Sequence, residues 1–111
     1  MIKKLLVLVL LSMSVNVMAA NDQVPGDRII TEIRTYKTYA LVYISPGFEN
    51  TQGCTHTSNS RLMIDMAGGA KKEIYTMAMA AAMAGKNIGL GISGCAGTGG
   101  YPSIYRLDVA F

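Results

Sequence analysis

The sequence has no tryptophan, a single histidine and only two cysteines among its 111 residues. One histidine and two cysteines are too few ligands for a zinc site. The segment 91–95, Gly-Ile-Ser-Gly-Cys, resembles the nucleophile motif of serine hydrolases, but no histidine follows it in the chain. The glycine-rich segment 94–100 lacks the Lys-Ser/Thr ending of a phosphate-binding loop. We therefore expect a protein that is not an enzyme and that uses no metal or cofactor.

Charged residues are also scarce, at 15% of the chain, with a formal net charge of +3. Two of the ten Lys and Arg residues, Lys3 and Lys4, belong to a segment that we expect to be removed, which leaves eight against seven Asp and Glu residues. Binding of nucleic acid independent of sequence needs clustered positive charge. Nucleic acid is therefore not an expected partner.

Residues 1–20 have the pattern of a secretory signal peptide. Two lysines precede the apolar segment 5–17, and Ala19-Ala20 provides small residues for cleavage. The apolar segment is shorter than the about 20 residues of a membrane span, which disfavours the alternative of an uncleaved anchor. No cysteine follows directly, which argues against a lipoprotein. We expect a secreted or periplasmic protein with one domain, residues 21–111, and membrane contact only through the signal peptide.

Cys54 and Cys95 are predicted to form a disulfide, because an even number of cysteines in an exported protein usually pairs. The chain-entropy model gives such a long closed loop a stabilisation of about 4 kcal/mol. The alternative is a pair of buried free thiols.

Hydrophobic alternation predicts five strands, and an alanine- and methionine-rich segment that ends before Gly85 predicts one helix. The order is β-β-β-α-β-β, which predicts a small α+β protein that is mainly β. This order is typical of an OB-fold, a five-stranded barrel, although other α+β folds share it. The predicted strands are residues 28–36, 39–45, 61–66, 87–93 and 103–109, and the helix is residues 70–84.

The segments between these elements are predicted as irregular. Residues 21–27, which contain Pro25-Gly26, are expected to be a short leader, and the polar residues 46–60 a loop. In a regular OB-fold Cys54 and Cys95 would lie at opposite ends of the barrel. The disulfide therefore requires this loop to fold back, because the bridged Cα atoms lie within about 7 Å of each other.

The predicted helix is apolar on all sides over residues 77–84. One small domain can cover only one side of such a helix, so the other side is expected to pack on a second copy of the chain. The alternative is a tolerated exposed surface of alanine and methionine. The residues expected at this oligomer interface are Ile74, Met77, Met79 and Met83.

Exposed polar and aromatic side chains are the candidate ligand-binding groups, because such groups together suit sugar rings. These candidates are Arg34, Tyr36, Lys37, Thr38 and His56. A catalytic pair of Cys54 with His56 is not expected, because a disulfide sulfur cannot act as a thiolate.

Four short segments resemble the B subunits of AB5 toxins of the subtilase-cytotoxin and typhoid-toxin type. They are Ile30-Thr31-Glu32-Ile33-Arg34-Thr35 as first strand, Gly53-Cys54 before the third, Ala84-Gly85-Lys86 before the fourth and Tyr101-Pro102 before the fifth. The resemblance extends over residues 26–109. Gly26 stands where that family has a sugar-binding serine.

The resemblance implies an OB-fold pentamer in which the helices surround a central pore and the outer faces bind cell-surface glycans. From residues and resemblance together we expect an exported, non-enzymatic, oligomeric binding domain. The alternative is a small periplasmic structural or inhibitor-like domain that binds another protein and no small molecule.

Overall fold

The structure, a computed structural model, describes residues 22–56, 58–67, 69–96 and 100–110. The predicted signal peptide, residues 1–20, lies outside the described residues, as do residues 97–99 of the glycine-rich segment. The secondary-structure elements are β1 (Asp22–Thr35), β2 (Tyr39–Ser45), β3 (Arg61–Asp65), α1 (Lys71–Ala84), β4 (Ile88–Ala96) and β5 (Tyr101–Val109).

The five strands form a mixed sheet that closes into a ring in the order β1-β2-β3-β5-β4, with β4 paired to β1. Neighbouring strands are antiparallel, except that β3 and β5 are parallel and joined at the pair Met63 and Ser103. The predicted mainly β composition, with one helix between the third and fourth strands, is confirmed within the described residues.

The hydrophobic core fills the ring. It is built from inward-facing aliphatic side chains of the strands and is covered by Ala78 and Ala81 of α1. Ile74 and Tyr75 of the helix pack against it from its edge. The most completely buried aliphatic side chains are Val42, Leu62, Ile64, Ile88, Leu90, Ile92 and Ile104.

Strand β1 begins earlier than predicted, so the expectation of an irregular leader over residues 21–27 is wrong for Asp22 onward. Val24 pairs with Leu90 and is buried, which fixes this segment to β4. The register then shifts before Arg28, so Pro25 and Gly26 lie in a bulge rather than in the regular ladder. A bulge accommodates a proline, which has no N–H to donate.

A second irregularity in β1 changes which side chains face the core. Between Ile30 and Glu32 the register against β2 shifts by one residue, which leaves Thr31 as the extra residue of a bulge. Ile30 and Ile33 therefore both pack against the core, although strict alternation would place them on opposite faces. Ile29, which strict alternation would place on the same face as Ile33, is exposed.

Helix α1 closely matches its prediction and ends at Gly85, which adopts the left-handed conformation with φ 65° and ψ 32°. The amides of Gly85 and Lys86 donate to the carbonyls of Ala82 and Ala81. Glycine reaches this conformation without steric cost, which explains why the helix stops there.

Strands β4 and β5 both extend beyond the predicted residues, so Cys95, predicted in a loop, lies in β4. The glycines of β4 allow neighbouring groups to approach the strand closely. A Cβ on Gly91 would lie 2.7 Å from the ring of Tyr105, and one on Gly89 would lie 3.1 Å from the carbonyl oxygen of Val24.

The loop of residues 46–60 folds back onto the end of the β4–β5 pair. The predicted disulfide is confirmed, with Cys54 and Cys95 Cα atoms 5.6 Å apart. Gln52 Oε1 accepts a hydrogen bond from the Gly94 amide at 2.9 Å, and Phe48 is buried in the core. The requirement that this loop fold back is thus satisfied.

Candidate functional site

The outer face of β1, β2 and β3 carries polar and aromatic side chains in register. Glu32 pairs with Tyr43, and Tyr43 pairs with Arg61, so these three side chains form one row across the sheet. Their neighbours in the strands, such as Val42 and Leu62, point into the core. On the outer face itself, Leu41 and Met63 pair with each other two residues from Tyr43 and Arg61 and are buried, so the polar row lies beside an apolar pair.

Tyr43 lies between two guanidinium groups. The Arg34 Cζ atom is 5.2 Å from the centre of the Tyr43 ring, and the Arg61 Cζ atom is 5.1 Å from it. Each cation–π contact of this kind contributes about 0.5–1 kcal/mol at an exposed site. The two arginines therefore restrict the motion of the Tyr43 ring and hold two groups of hydrogen-bond donors beside it.

The two arginines differ in their ionic partners. Arg34 Nε donates to Glu32 Oε2 at 2.5 Å. The pKa of the Arg34 guanidinium is raised above its ordinary value by this bond first and by a hydrogen bond with the Tyr36 side chain second. Among the described residues no carboxylate forms an ion pair with Arg61. Arg61 therefore has donors available to a ligand.

The row continues onto β5. Met63 pairs with Ser103 in parallel register, and Arg61 and Tyr101, each two residues earlier, are the first residues of their strands. His56 stacks on the Tyr101 ring, with ring centres 4.2 Å apart. We call the set Arg34, Tyr43, Arg61, Tyr101 and His56 the aromatic–arginine row.

The other predicted ligand-binding residues lie in the turn between β1 and β2. Tyr36 stacks on Tyr39 with ring centres 4.7 Å apart, and 43% of Tyr36 is exposed. Lys37 and Thr38 are exposed in the same turn. The Thr38 carbonyl accepts from the Met66 amide at the far end of β3.

The structure thus places the five predicted residues at two separate positions. Arg34, Tyr36, Lys37 and Thr38 come together, whereas His56 lies beyond the opposite end of β3. Sequence reasoning missed Tyr43, Arg61 and Tyr101, which connect the two positions. Tyr39 and Tyr43 are four residues apart in one predicted strand, so alternation places both on the same face. That spacing is the signal in the sequence for an aromatic outer face.

Helix α1 presents the second candidate surface. Met83 is 84% exposed, and Met77 and Met79 are each 36% exposed. Ile74, predicted at the same interface, is half-buried and packs against the core of its own chain. The outer side of the helix therefore carries Lys72, Glu73 and Thr76 in its first half and methionines and small alanines in its second half.

The two flanks of α1 differ. Met79 and Met83 lie one turn apart and line a groove of about 320 Å³ beside residues 30–33 of β1. Met77 lies on the other flank and lines a groove of about 870 Å³ beside the ends of β4 and β5. By helical spacing Lys72 belongs to the Met79 flank and Glu73 to the Met77 flank.

The chemically reactive side chains are held in structural contacts. Cys54 and Cys95 are joined, and His56 Nδ1 accepts from the Ser58 amide at 3.4 Å. Asp108 pairs with Arg106, and Asp65 Oδ1 accepts from the Ala67 amide. Within the described ranges no group of three or more His, Cys, Asp or Glu side chains could hold a metal ion.

Comparison with protein-family models, with curated proteins and with solved structures finds no match to this chain. None of the helices in the part of the chain described here is long and apolar enough to cross a membrane. A functional assignment therefore depends on the geometry of the two surfaces.

Proposed function

We propose that this chain is an exported, non-enzymatic binding domain with an OB-fold, which assembles with copies of itself through α1 and binds glycans on its outer face. The strand order β1-β2-β3-β5-β4, with the helix between β3 and β4, supports the OB-fold. The disulfide supports export to an oxidising compartment.

The observation that carries the binding role is the aromatic–arginine row. The Tyr43 ring lies between two guanidinium groups, and the rings of His56 and Tyr101 stack on each other. The C–H faces of a sugar ring pack on aromatic rings, and its hydroxyl oxygens accept from guanidinium donors. Arg61 is the donor least occupied by other partners in the described residues.

Self-association is supported by the complementarity of the two helix flanks. The flank of Met79 and Met83 carries the basic Lys72, and the flank of Met77 carries the acidic Glu73 and the small Ala84. A contact between unlike flanks is head-to-tail, and repeated contacts of this kind close into a ring when the rotation permits. The resemblance to AB5 toxin B subunits would make that ring a pentamer.

The test combines a glycan array with sedimentation of the protein purified after export. We expect a discrete assembly and binding to a restricted set of glycans. Arg61→Ala should weaken binding about tenfold, since a charged hydrogen bond contributes about 1.5–3 kcal/mol. Arg106→Ala is the matched control, because Arg106 lies over Tyr105 outside the row and is paired with Asp108.

Two results would contradict the proposal in different ways. A single chain at all concentrations would remove the role of α1 in assembly. An assembled protein with no glycan bound, or equal losses for Arg61→Ala and Arg106→Ala, would remove the glycan site. The second result would favour the alternative of a protein-interaction domain.

A further inference from the structure

The methionines of the described residues fall into two groups. Met63 is buried at 2% exposure and Met66 is half-buried, both within or directly after β3. The three on α1 are exposed, Met83 at 84%. A thioether is oxidised at a rate that follows its exposure to the oxidant. The helix therefore presents its oxidisable sulfurs on the surface proposed to meet a second copy.

We infer that Met77, Met79 and Met83 form an oxidation site that controls assembly, an inference that rests on the proposed self-association through α1. The oxidant is a peroxide such as hydrogen peroxide. The thioether sulfur gains one oxygen atom and is oxidised by two electrons, while the peroxide is reduced and its other oxygen leaves as water. The product, methionine sulfoxide, is polar.

The surroundings of Met83 explain why the polar product opposes assembly. In the adjacent groove the Thr31 hydroxyl already donates to the Tyr43 carbonyl, and the Glu32 carboxylate accepts from Arg34. The rest of that groove is lined by apolar residues, whose side chains offer no hydrogen-bond donor for a sulfoxide oxygen. In the free subunit water solvates this oxygen, and burial against a neighbouring helix removes that water.

The opposite flank offers the sulfoxide little compensation. Next to Met77 on the helix lie Ala80 and Ala84, whose side chains have no donor, and the donors of the Met77 groove, Lys86 and Asn87, lie beyond the end of the helix. A head-to-tail contact that places Met83 against Ala80 and Ala84 would leave its sulfoxide oxygen unpaired. Oxidation therefore favours the separate subunit, and assembly in turn protects the three methionines from peroxide.

The experiment treats the protein purified after export with hydrogen peroxide and follows each methionine by peptide mass spectrometry. We expect Met83 to be oxidised first, then Met77 and Met79, and Met63 last. Oxidation of the three should slow when the protein is concentrated enough to assemble. The concentration at half-assembly, measured by sedimentation, should rise at least tenfold after oxidation and return after treatment with methionine sulfoxide reductase.

A variant with Met77, Met79 and Met83 all replaced by leucine should assemble before and after peroxide, because leucine has similar volume and is not oxidised. Met66→Leu is the control and should leave the effect of peroxide on assembly unchanged. The inference would be overturned, while self-association stands, by either of two results. One is a concentration at half-assembly that does not change on oxidation, and the other is a triple variant whose assembly is still weakened by peroxide. An untreated protein that never assembles would overturn the proposed function as well.

Discussion

The loop of residues 46–60 and helix α1 both lie outside the strand ring, but they are attached to it in different ways. The loop is joined covalently through Cys54 and Cys95, and Phe48 inserts into the core. The helix covers the core with the small residues Ala78 and Ala81 and leaves large methionines outside. The loop has most of its apolar surface buried, whereas the helix retains apolar surface that a second chain could cover.

The largest expected effect concerns the covalent attachment. Replacing both Cys54 and Cys95 with serine should lower the free energy of unfolding by about 4 kcal/mol, because the unfolded chain loses the constraint of the long closed loop. The measurement is urea unfolding of the variant beside the oxidised and reduced wild-type protein. A loss below about 1 kcal/mol would show that the loop is held mainly by contacts such as Gln52 with Gly94 and not by the disulfide.

The two sides of α1 provide the next prediction. Ala78→Leu adds volume on the side that contacts the core and should destabilise the subunit by about 1–3 kcal/mol. Ala80→Leu adds the same volume on the exposed side and should change stability by less than about 0.5 kcal/mol. Thermal or urea unfolding of both variants at low protein concentration tests the difference. Equal losses would contradict the one-sided packing of the helix.

A smaller effect is expected at His56, which belongs to both the loop and the aromatic–arginine row. His56→Ala removes the ring stacked on Tyr101 and the Nδ1 acceptor of the Ser58 amide, and should cost about 1 kcal/mol. His56→Phe keeps a stacked ring and should recover most of the loss. If both variants unfold alike, the stack contributes nothing to holding the loop.

The sequence predicted those elements that are determined by residues close together in the chain. The helix, its end at Gly85 and strand β2 each follow from neighbouring residues, and the disulfide follows from there being only two cysteines. The structure differs where a turn signal is overridden by pairing. Pro25-Gly26 predicts a break, but the buried Val24 pairs with Leu90 and draws the segment into β1.

The candidate site was only partly predictable for a related reason. Arg34 and Tyr36 were predicted as exposed polar and aromatic side chains, a property of the residues themselves. Arg61 and Tyr101 come to the same end of the sheet through the parallel register of β3 and β5, which are distant in the sequence, and no local pattern determines that register. The bulge at Thr31 likewise changes the outward side chains of β1 in a way that strict alternation cannot show.

The smallest effect on stability is expected at Met83, where the effect on assembly should be greatest. Met83→Lys places a charge at the most exposed methionine and should change the free energy of subunit unfolding by less than about 0.5 kcal/mol. The charge would have to be desolvated in a contact between helices, so the assembled species should disappear in sedimentation. Met83→Leu is the matched control and should assemble like the wild-type protein, since it preserves apolar volume. A Met83→Lys protein that still assembles would show that α1 lies outside the contact between subunits, and the exposed methionines would then be a tolerated surface of the kind that single apolar residues often form.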